Sequence, residues 1–140
     1  MRIWSIHPKY LDSWRLTGQW RDAFMCKAAL EDKTHAYDNT PEFLRVKNHP
    51  QPFFFIDSFL YEIWKEANQR GYSFDRTKLP EDIEEKYREP FIPMEISEDD
   101  LEYEFNLLQK MLPDFDEFRT ANVQYMMEEG ILPNDTFLVI

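Results

Sequence analysis

Cysteine and glycine are both scarce in this sequence. Among its 140 residues there is one cysteine, Cys26, and there are three glycines. A single cysteine excludes an internal disulfide and is typical of a reducing compartment. So few glycines disfavour a barrel or a sandwich, which need many tight turns. We therefore expect an intracellular, cytoplasmic protein that is not built on a disulfide framework.

Long hydrophobic runs are also missing. The first eight residues include Arg2 and the turn pair His7-Pro8, and they lack the apolar core of a secretory signal. The longest apolar run, at 53–56, is ended by Asp57, whereas a membrane-spanning helix needs about 18 apolar residues. The sequence therefore predicts no signal peptide and no membrane partner.

Metal-ligating patterns are absent as well. Three histidines, His7, His35 and His49, fall in turn-like segments, and none forms a pair with Cys26 at zinc-site spacing. No glycine-rich loop of the kind that cradles phosphate occurs either. We expect neither a metal site nor a cofactor.

Positive charge is missing from the second half of the chain. Residues 1–78 carry 12 Lys/Arg and 10 Asp/Glu, a net charge of +2, whereas residues 79–140 carry 4 and 17, a net charge of −13. Because phosphate contacts need a basic face, only the first half can offer one to a nucleic acid. The acidic runs at 81–85 and 98–100 are most simply solvated surface. The alternative is that they bind a basic protein.

The apolar content, by contrast, is high enough for a core. Hydrophobic residues make up 43% of the chain and aromatic residues 16%, and this length is typical of one domain. Helical spacing of apolar residues predicts helices over 14–31, 41–47, 52–70, 97–112 and 114–129, and an acidic helical turn within 80–88. We predict an all-α fold, a single compact helical domain over residues 1–140 with irregular connectors and an apolar tail, 136–140, docked on the core.

Three positions indicate where helices begin and end. Gly71 and Gly130 stand where a glycine would end the preceding helix. Ser97, three residues before Asp100, is typical of a helix N-terminus that is capped by a hydroxyl.

Several blocks of the sequence resemble the pyrimidine-dimer DNA glycosylase (endonuclease V) family. The blocks are residues 1–12, 20–22, 43–47, 61–67 and 70–75, with a looser similarity over 101–112. The resemblance implies a helical domain of the endonuclease V type. It also implies a DNA-repair glycosylase with abasic-site lyase activity on pyrimidine dimers or related lesions, acting on damaged double-stranded DNA.

The resemblance also implies the catalytic residues. In this family the α-amine of the chain attacks the sugar C1′ and forms a Schiff base, which makes Met1 the nucleophile here. An α-amine, with a reference pKa of about 7.7–8.0, is partly neutral near pH 7, unlike a lysine at about 10.4. We expect Met1 to be retained because the following residue, Arg2, is bulky. Asp22 matches the family's catalytic glutamate, which stabilises the cationic intermediate and moves a proton.

The same resemblance implies residues that hold the DNA backbone. Arg2 and Arg21 match family arginines that bind phosphate. Arg15 lies seven residues before Asp22 on nearly the same helix face, so we expect it to pair with Asp22 or to reach DNA. Further substrate-binding candidates are His7, Lys27, Arg45 and Lys47.

Two features depart from the family pattern. Asp22 is one methylene shorter than glutamate, and a misplacement of about 1 Å can lower a rate about 100-fold. The C-terminal end is acidic where the phage member of the family carries basic and aromatic residues that reach DNA. The alternative function is therefore a catalytically inactive family member that acts as an acidic protein-binding module.

Overall fold

Six helices and one small sheet make up the fold. The computed structural model describes residues 1–140. In chain order the elements are α1 (Ser13–Leu30), α2 (Pro41–Lys47), α3 (Pro52–Gln69), α4 (Ile83–Lys86), β1 (Met94–Ile96), α5 (Glu98–Met111), α6 (Glu117–Glu129) and β2 (Phe137–Val139). Short 3₁₀ turns lie at Pro8–Tyr10 and Arg76–Lys78. The predicted mostly helical architecture is confirmed, and α6 begins three residues later than predicted. No helix is both long and apolar enough to cross a bilayer.

Three helix ends form where the sequence predicts them. The Ser97 hydroxyl accepts a hydrogen bond from the backbone N–H of Asp100 and caps α5. Gly71 and Gly130 follow α3 and α6 with φ angles of 82° and 75°, a backbone region that favours glycine because it lacks a Cβ. Local chemistry therefore suffices to predict these three boundaries.

The centre of the molecule is the packing of α3 against α1. The apolar stripe of α3 is fully buried, and the facing side of α1 contributes Leu16, Ala23 and Cys26, which are also inaccessible to solvent. Small residues at positions 23 and 26 allow the two helix backbones to approach closely. The buried stripe of α3 consists of Phe55, Ile56, Phe59, Leu60 and Ile63.

An extended N-terminal arm, residues 1–7, lies beside the C-terminal segment of the chain. Ile6 forms an antiparallel bridge with Pro133. The N–H of His7 donates to the carbonyl of Leu132 at 2.9 Å, and the N–H of Asn134 donates to the carbonyl of Ser5 at 2.7 Å. These bonds hold the arm against residues 132–134 at the edge of the helical core.

The expectation of an all-α fold overlooks the two strands. β1 and β2 pair in parallel with Met94 opposite Phe137 and Ile96 opposite Val139. Each strand has only three residues, which is too short for alternation to stand out in the sequence, and their partners lie about 43 residues apart. The apolar tail does dock on the core as predicted, because Phe137 is 5% exposed.

Phe137→Ala tests how much the docked tail stabilises the fold. The ring lies edge-on to Phe55 and Phe59 with centroids 5.6 and 6.4 Å away, so its removal leaves a cavity. We expect the free energy of unfolding in urea to fall by about 3 kcal/mol. Leu138→Ala, at an exposed position of the same strand, is the control and should change it by less than about 0.5 kcal/mol. Equal effects of the two variants would contradict the assigned docking.

Candidate active site at the N-terminal arm

The first peptide groups of the arm are held by side chains, with no neighbouring strand. Four consecutive backbone N–H groups each donate to a side-chain oxygen at 2.7 to 3.1 Å. Buried backbone groups need a partner, and here α1, α2 and α5 supply it. The acceptors are Asp22 for Arg2, Glu42 for Ile3, Gln19 for Trp4 and Glu104 for Ser5.

One face of α1 fixes the direction of the arm. Gln19 and Asp22 are three residues apart and therefore project from the same side of the helix. Gln19 accepts from Trp4 and also donates from Nε2 to the carbonyl of Arg2 at 2.7 Å, while Asp22 accepts from the N–H of Arg2. The arm thus runs antiparallel to α1, and Met1 is the residue directly before the N–H that Asp22 binds.

The α-nitrogen of Met1 and the carboxylate of Asp22 are close without forming an ion pair. Asp22 Oδ2 lies 3.1 Å from the backbone nitrogen of Arg2, and covalent geometry places the Met1 nitrogen within about 3.6 Å of that atom. The nitrogen-to-oxygen separation is therefore below about 7 Å, yet it exceeds the 4.0 Å limit of an ion pair.

Four cations in the first half of the chain have no carboxylate partner, and two of them are sequence neighbours of Met1 and Asp22. Of the twelve Lys/Arg side chains in residues 1–78, eight form ion pairs with carboxylates. The Arg2 guanidinium instead stacks on the ring of Trp4 at 4.6 Å, and the side chain of Arg21 is exposed. The four without a carboxylate partner are Arg2, Arg21, Lys47 and Lys78.

Two predicted substrate-binding residues, Arg15 and Lys27, form ion pairs with other acids of the protein. Arg15 does not pair with Asp22. Its guanidinium contacts Asp12 at 3.0 Å and the carbonyl of Met111 at 3.2 Å. Asp12 caps α1 three residues earlier, so it lies within reach, whereas Asp22 is nearly two helical turns away. Lys27 forms an ion pair with Asp57 at 2.6 Å.

His7 lies outside the arrangement around Asp22. Its Nδ1 accepts the N–H of Lys9 and closes the turn that follows the arm. Its ring lines a separate polar cavity of about 180 Å³ together with Glu62 and Glu66. Burial lowers the pKa of His7, and nearby carboxylates oppose that effect.

Arg45 also has a different environment from the one that a phosphate-binding residue needs. Its guanidinium donates to the carbonyl of Ile3 at 2.9 Å and contacts Glu42 and the hydroxyl of Ser5, each at 3.3 Å. Lys47, on the same helix, is exposed and lies near the ring of Phe43.

Sequence reasoning overlooked Gln19, Glu42 and Glu104. Gln19 could have been found from the sequence, because it is a polar residue on an otherwise apolar helix face and lies three residues before Asp22. Glu42 is less evident, although its spacing of three residues from Arg45 indicates that the two side chains can pair on one helix face. Nothing in the sequence indicates Glu104, because it binds Ser5 across 99 residues of sequence.

Two titratable groups behind the arm are strongly desolvated. Burial raises the pKa of Glu104, and the N–H of Ser5 and the charge of Arg45 only partly offset this. Its second oxygen, Oε2, is buried without a partner. Burial raises the pKa of Cys26 to about 12, which keeps this thiol protonated and unreactive near pH 7.

Glu104→Gln tests the buried carboxyl. Its pKa is higher in the folded chain than its ordinary value of 4.5. The stabilising effect of its proton is therefore complete below that value and is lost as the pH rises through the raised pKa. We expect the glutamine variant to show a smaller fall in the free energy of unfolding as the pH is raised from about 4 to about 8.

The measurement is urea unfolding at a series of pH values. Glu102→Gln changes an exposed acid of the same helix and should leave the wild-type pH dependence intact. If Glu104→Gln also leaves it unchanged, the assigned burial of Glu104 is wrong.

Comparison with known proteins identifies a family for the first part of the sequence. The profile of the pyrimidine dimer DNA glycosylase family matches residues 1–80. The matched region contains the arm, α1, α2 and α3, and hence Met1, Asp22 and Glu42. No curated protein and no solved structure gave a significant match. Since the family profile covers more than half of the chain, the protein belongs to the pyrimidine dimer DNA glycosylase family.

Proposed function

We propose that this protein is a DNA-repair glycosylase that also cleaves the strand at the resulting abasic site, with the α-amine of Met1 as nucleophile. Membership of the family implies DNA as the substrate. The observation that carries the proposal is the hydrogen bond from the N–H of Arg2 to Asp22 Oδ2. It holds a carboxylate one peptide away from the terminal nitrogen, as amine-dependent base removal requires.

The chemistry needs one nucleophile and one acid–base group. The lone pair of the Met1 nitrogen attacks C1′ of the damaged nucleotide, and the bond from C1′ to the base breaks as the base leaves with a proton. The sugar ring opens to give an iminium on the Met1 nitrogen. Loss of a proton from C2′ then expels the 3′ phosphate, and water releases the protein from the imine.

Asp22 is suited to two of these steps. Its negative charge stabilises the cationic sugar and the iminium, and its free oxygen accepts and returns protons. The bond to Arg2 occupies Oδ2, which leaves Oδ1 for the reacting nucleotide. The gap of more than 4 Å between the carboxylate and the amine is where C1′ would lie.

The unpaired cations supply the contacts to the DNA backbone. Arg2 follows Met1 and Arg21 precedes Asp22 in the sequence, and Lys47 is exposed on α2. Arg15, Lys27 and Arg45 already bind oxygens of the protein, so a phosphate would have to compete for them. We therefore assign the main phosphate contacts to Arg2 and Arg21, with affinity that falls as salt increases.

Borohydride trapping tests the proposed nucleophile. Reduction of an imine joins protein and DNA covalently, so we expect an adduct between the unmodified chain and duplex DNA that contains an abasic site. A chain whose α-amine is acetylated keeps all its lysines and should form no adduct. Mass spectrometry of the digested adduct should place the DNA on Met1.

Either of two outcomes would overturn the proposal. An adduct that persists after acetylation would move the nucleophile to a lysine. No adduct with the unmodified chain, at low salt and with both abasic and cyclobutane-dimer duplexes, would exclude the lyase and favour the acidic binding module.

Substitutions of Asp22 distinguish the effect of its negative charge from the effect of its hydrogen bond to Arg2. Asp22→Asn keeps an oxygen that can accept from Arg2 but removes the charge, so we expect single-turnover adduct formation to slow by about 100-fold or more. Asp22→Glu restores the family's residue and should raise the rate. Asp99→Asn, at an exposed position of α5, makes the same change in net charge and should have little effect. A rate for Asp22→Asn equal to that of wild type would rule out Asp22 as the acid–base group.

A further inference from the structure

Two side chains of α2 bind both backbone groups of one arm residue. Glu42 Oε2 accepts the N–H of Ile3 at 2.7 Å, and Arg45 donates to the carbonyl of Ile3 at 2.9 Å. The two side chains also contact each other at 3.3 Å. We call this pair of residues the α2 clamp. Because each bond involves a charged group, both are of the stronger class of hydrogen bond.

Stability alone is a poor explanation for the α2 clamp. Both side chains are about 30% exposed, and half-buried ion pairs lose in desolvation much of what they gain by attraction. Arg45 Nε is in addition buried without a partner. What the α2 clamp does provide is a fixed position for the Ile3 peptide, two residues from the terminal nitrogen.

The α-amine needs such an anchor because it lies at the end of a chain. Terminal residues are usually poorly ordered unless they are tied down, and a displacement of about 1 Å can lower a rate about 100-fold. Asp22 and Gln19 bind the arm from α1, whereas the α2 clamp binds it from a second helix. Bonds from two helices fix the arm in more than one direction.

We infer that Glu42 and Arg45 are positioning residues that hold the Met1 amine at its distance from Asp22. They act through the Ile3 peptide and do not themselves contact the nucleotide. This inference rests on the proposed function, since it assigns the α2 clamp a task in presenting the nucleophile. It reassigns Arg45 from phosphate binding to the support of the arm.

Two variants of Glu42 test the inference. Glu42→Ala removes the acceptor for the N–H of Ile3, while Glu42→Gln retains an oxygen at the same place. Glu85→Ala removes an equal charge from an exposed position on α4 and serves as the control. All are assayed well below their melting temperatures, so that each chain is folded.

The first measurement is the mobility of the arm without DNA. Backbone order parameters from NMR relaxation should be near about 0.85 for Arg2 and Ile3 in wild type and fall below about 0.6 in Glu42→Ala. Residues of α1 should remain rigid, and Glu42→Gln should resemble wild type. An arm as rigid in Glu42→Ala as in wild type overturns the inference, whatever the activity.

The second measurement is the rate of borohydride-trapped adduct formation in a single turnover. We expect Glu42→Ala to slow this rate by about 10- to 100-fold, with DNA affinity close to that of the Glu85→Ala control and with rescue by Glu42→Gln. A loss of affinity with an unchanged rate would make Glu42 a DNA-binding residue and overturn the inference alone. Absence of any adduct in wild type overturns the proposed function, and this inference with it.

Discussion

The N-terminal arm lies against a closely packed helical core, and its peptide groups must find hydrogen-bond partners there. A buried N–H without a partner destabilises the fold by about 1–3 kcal/mol. Four consecutive N–H groups at the start of this chain, all at least partly buried, need such partners. A neighbouring strand would normally solve this problem. Here three helices project polar side chains towards the arm, and most other features of the site follow from that solution.

Because the backbone of the arm needs acceptors, the fold itself requires a carboxylate near the N-terminus. Asp22, Glu42 and Glu104 each accept one N–H of the arm, so the chain start is surrounded by acids that the backbone requires. Of these, Asp22 is bound nearest to the terminal amine, and burial raises the pKa of Glu104, which favours its protonated form. Both acids support the backbone, but burial raises the pKa only of Glu104.

The C-terminal tail contributes to the same region from the other side. Phe137 lies on Phe55 and Phe59 of α3 and beneath the guanidinium of Arg45, whose central carbon is 5.2 Å from the ring centroid. Arg45 therefore joins the arm to the tail. This contact explains why an arginine, with a flat face that stacks on an aromatic ring, suits this position better than a lysine.

The helical elements were predictable from the sequence because their signals are local. The apolar stripe of α3 repeats every three to four residues, and Gly71, Ser97 and Gly130 mark helix ends through chemistry that acts within one turn. The partner of Arg15 was not predictable in the same way. Helical spacing permitted Asp22, but capping of α1 had already placed Asp12 within reach. The bond between Ser5 and Glu104 joins residues 99 positions apart, and no pattern in one sequence indicates it.

The net charge of the chain does not describe the charge at each part of its surface, because most of the cations in the first half form ion pairs. Net charge counts every cation equally, but eight of the twelve in the first half are neutralised by a neighbouring carboxylate. Those without a carboxylate partner include Arg2 and Arg21, which are adjacent in sequence to Met1 and to Asp22. A polyanion at this surface meets the charges of Arg2 and Arg21 at short range. The nearest acids, Asp22 and Glu42, each bind an N–H of the arm, and carboxylates farther away are screened beyond about 10 Å. A strongly acidic protein can therefore present a small basic site, provided that its few unpaired arginines are concentrated where the chemistry takes place.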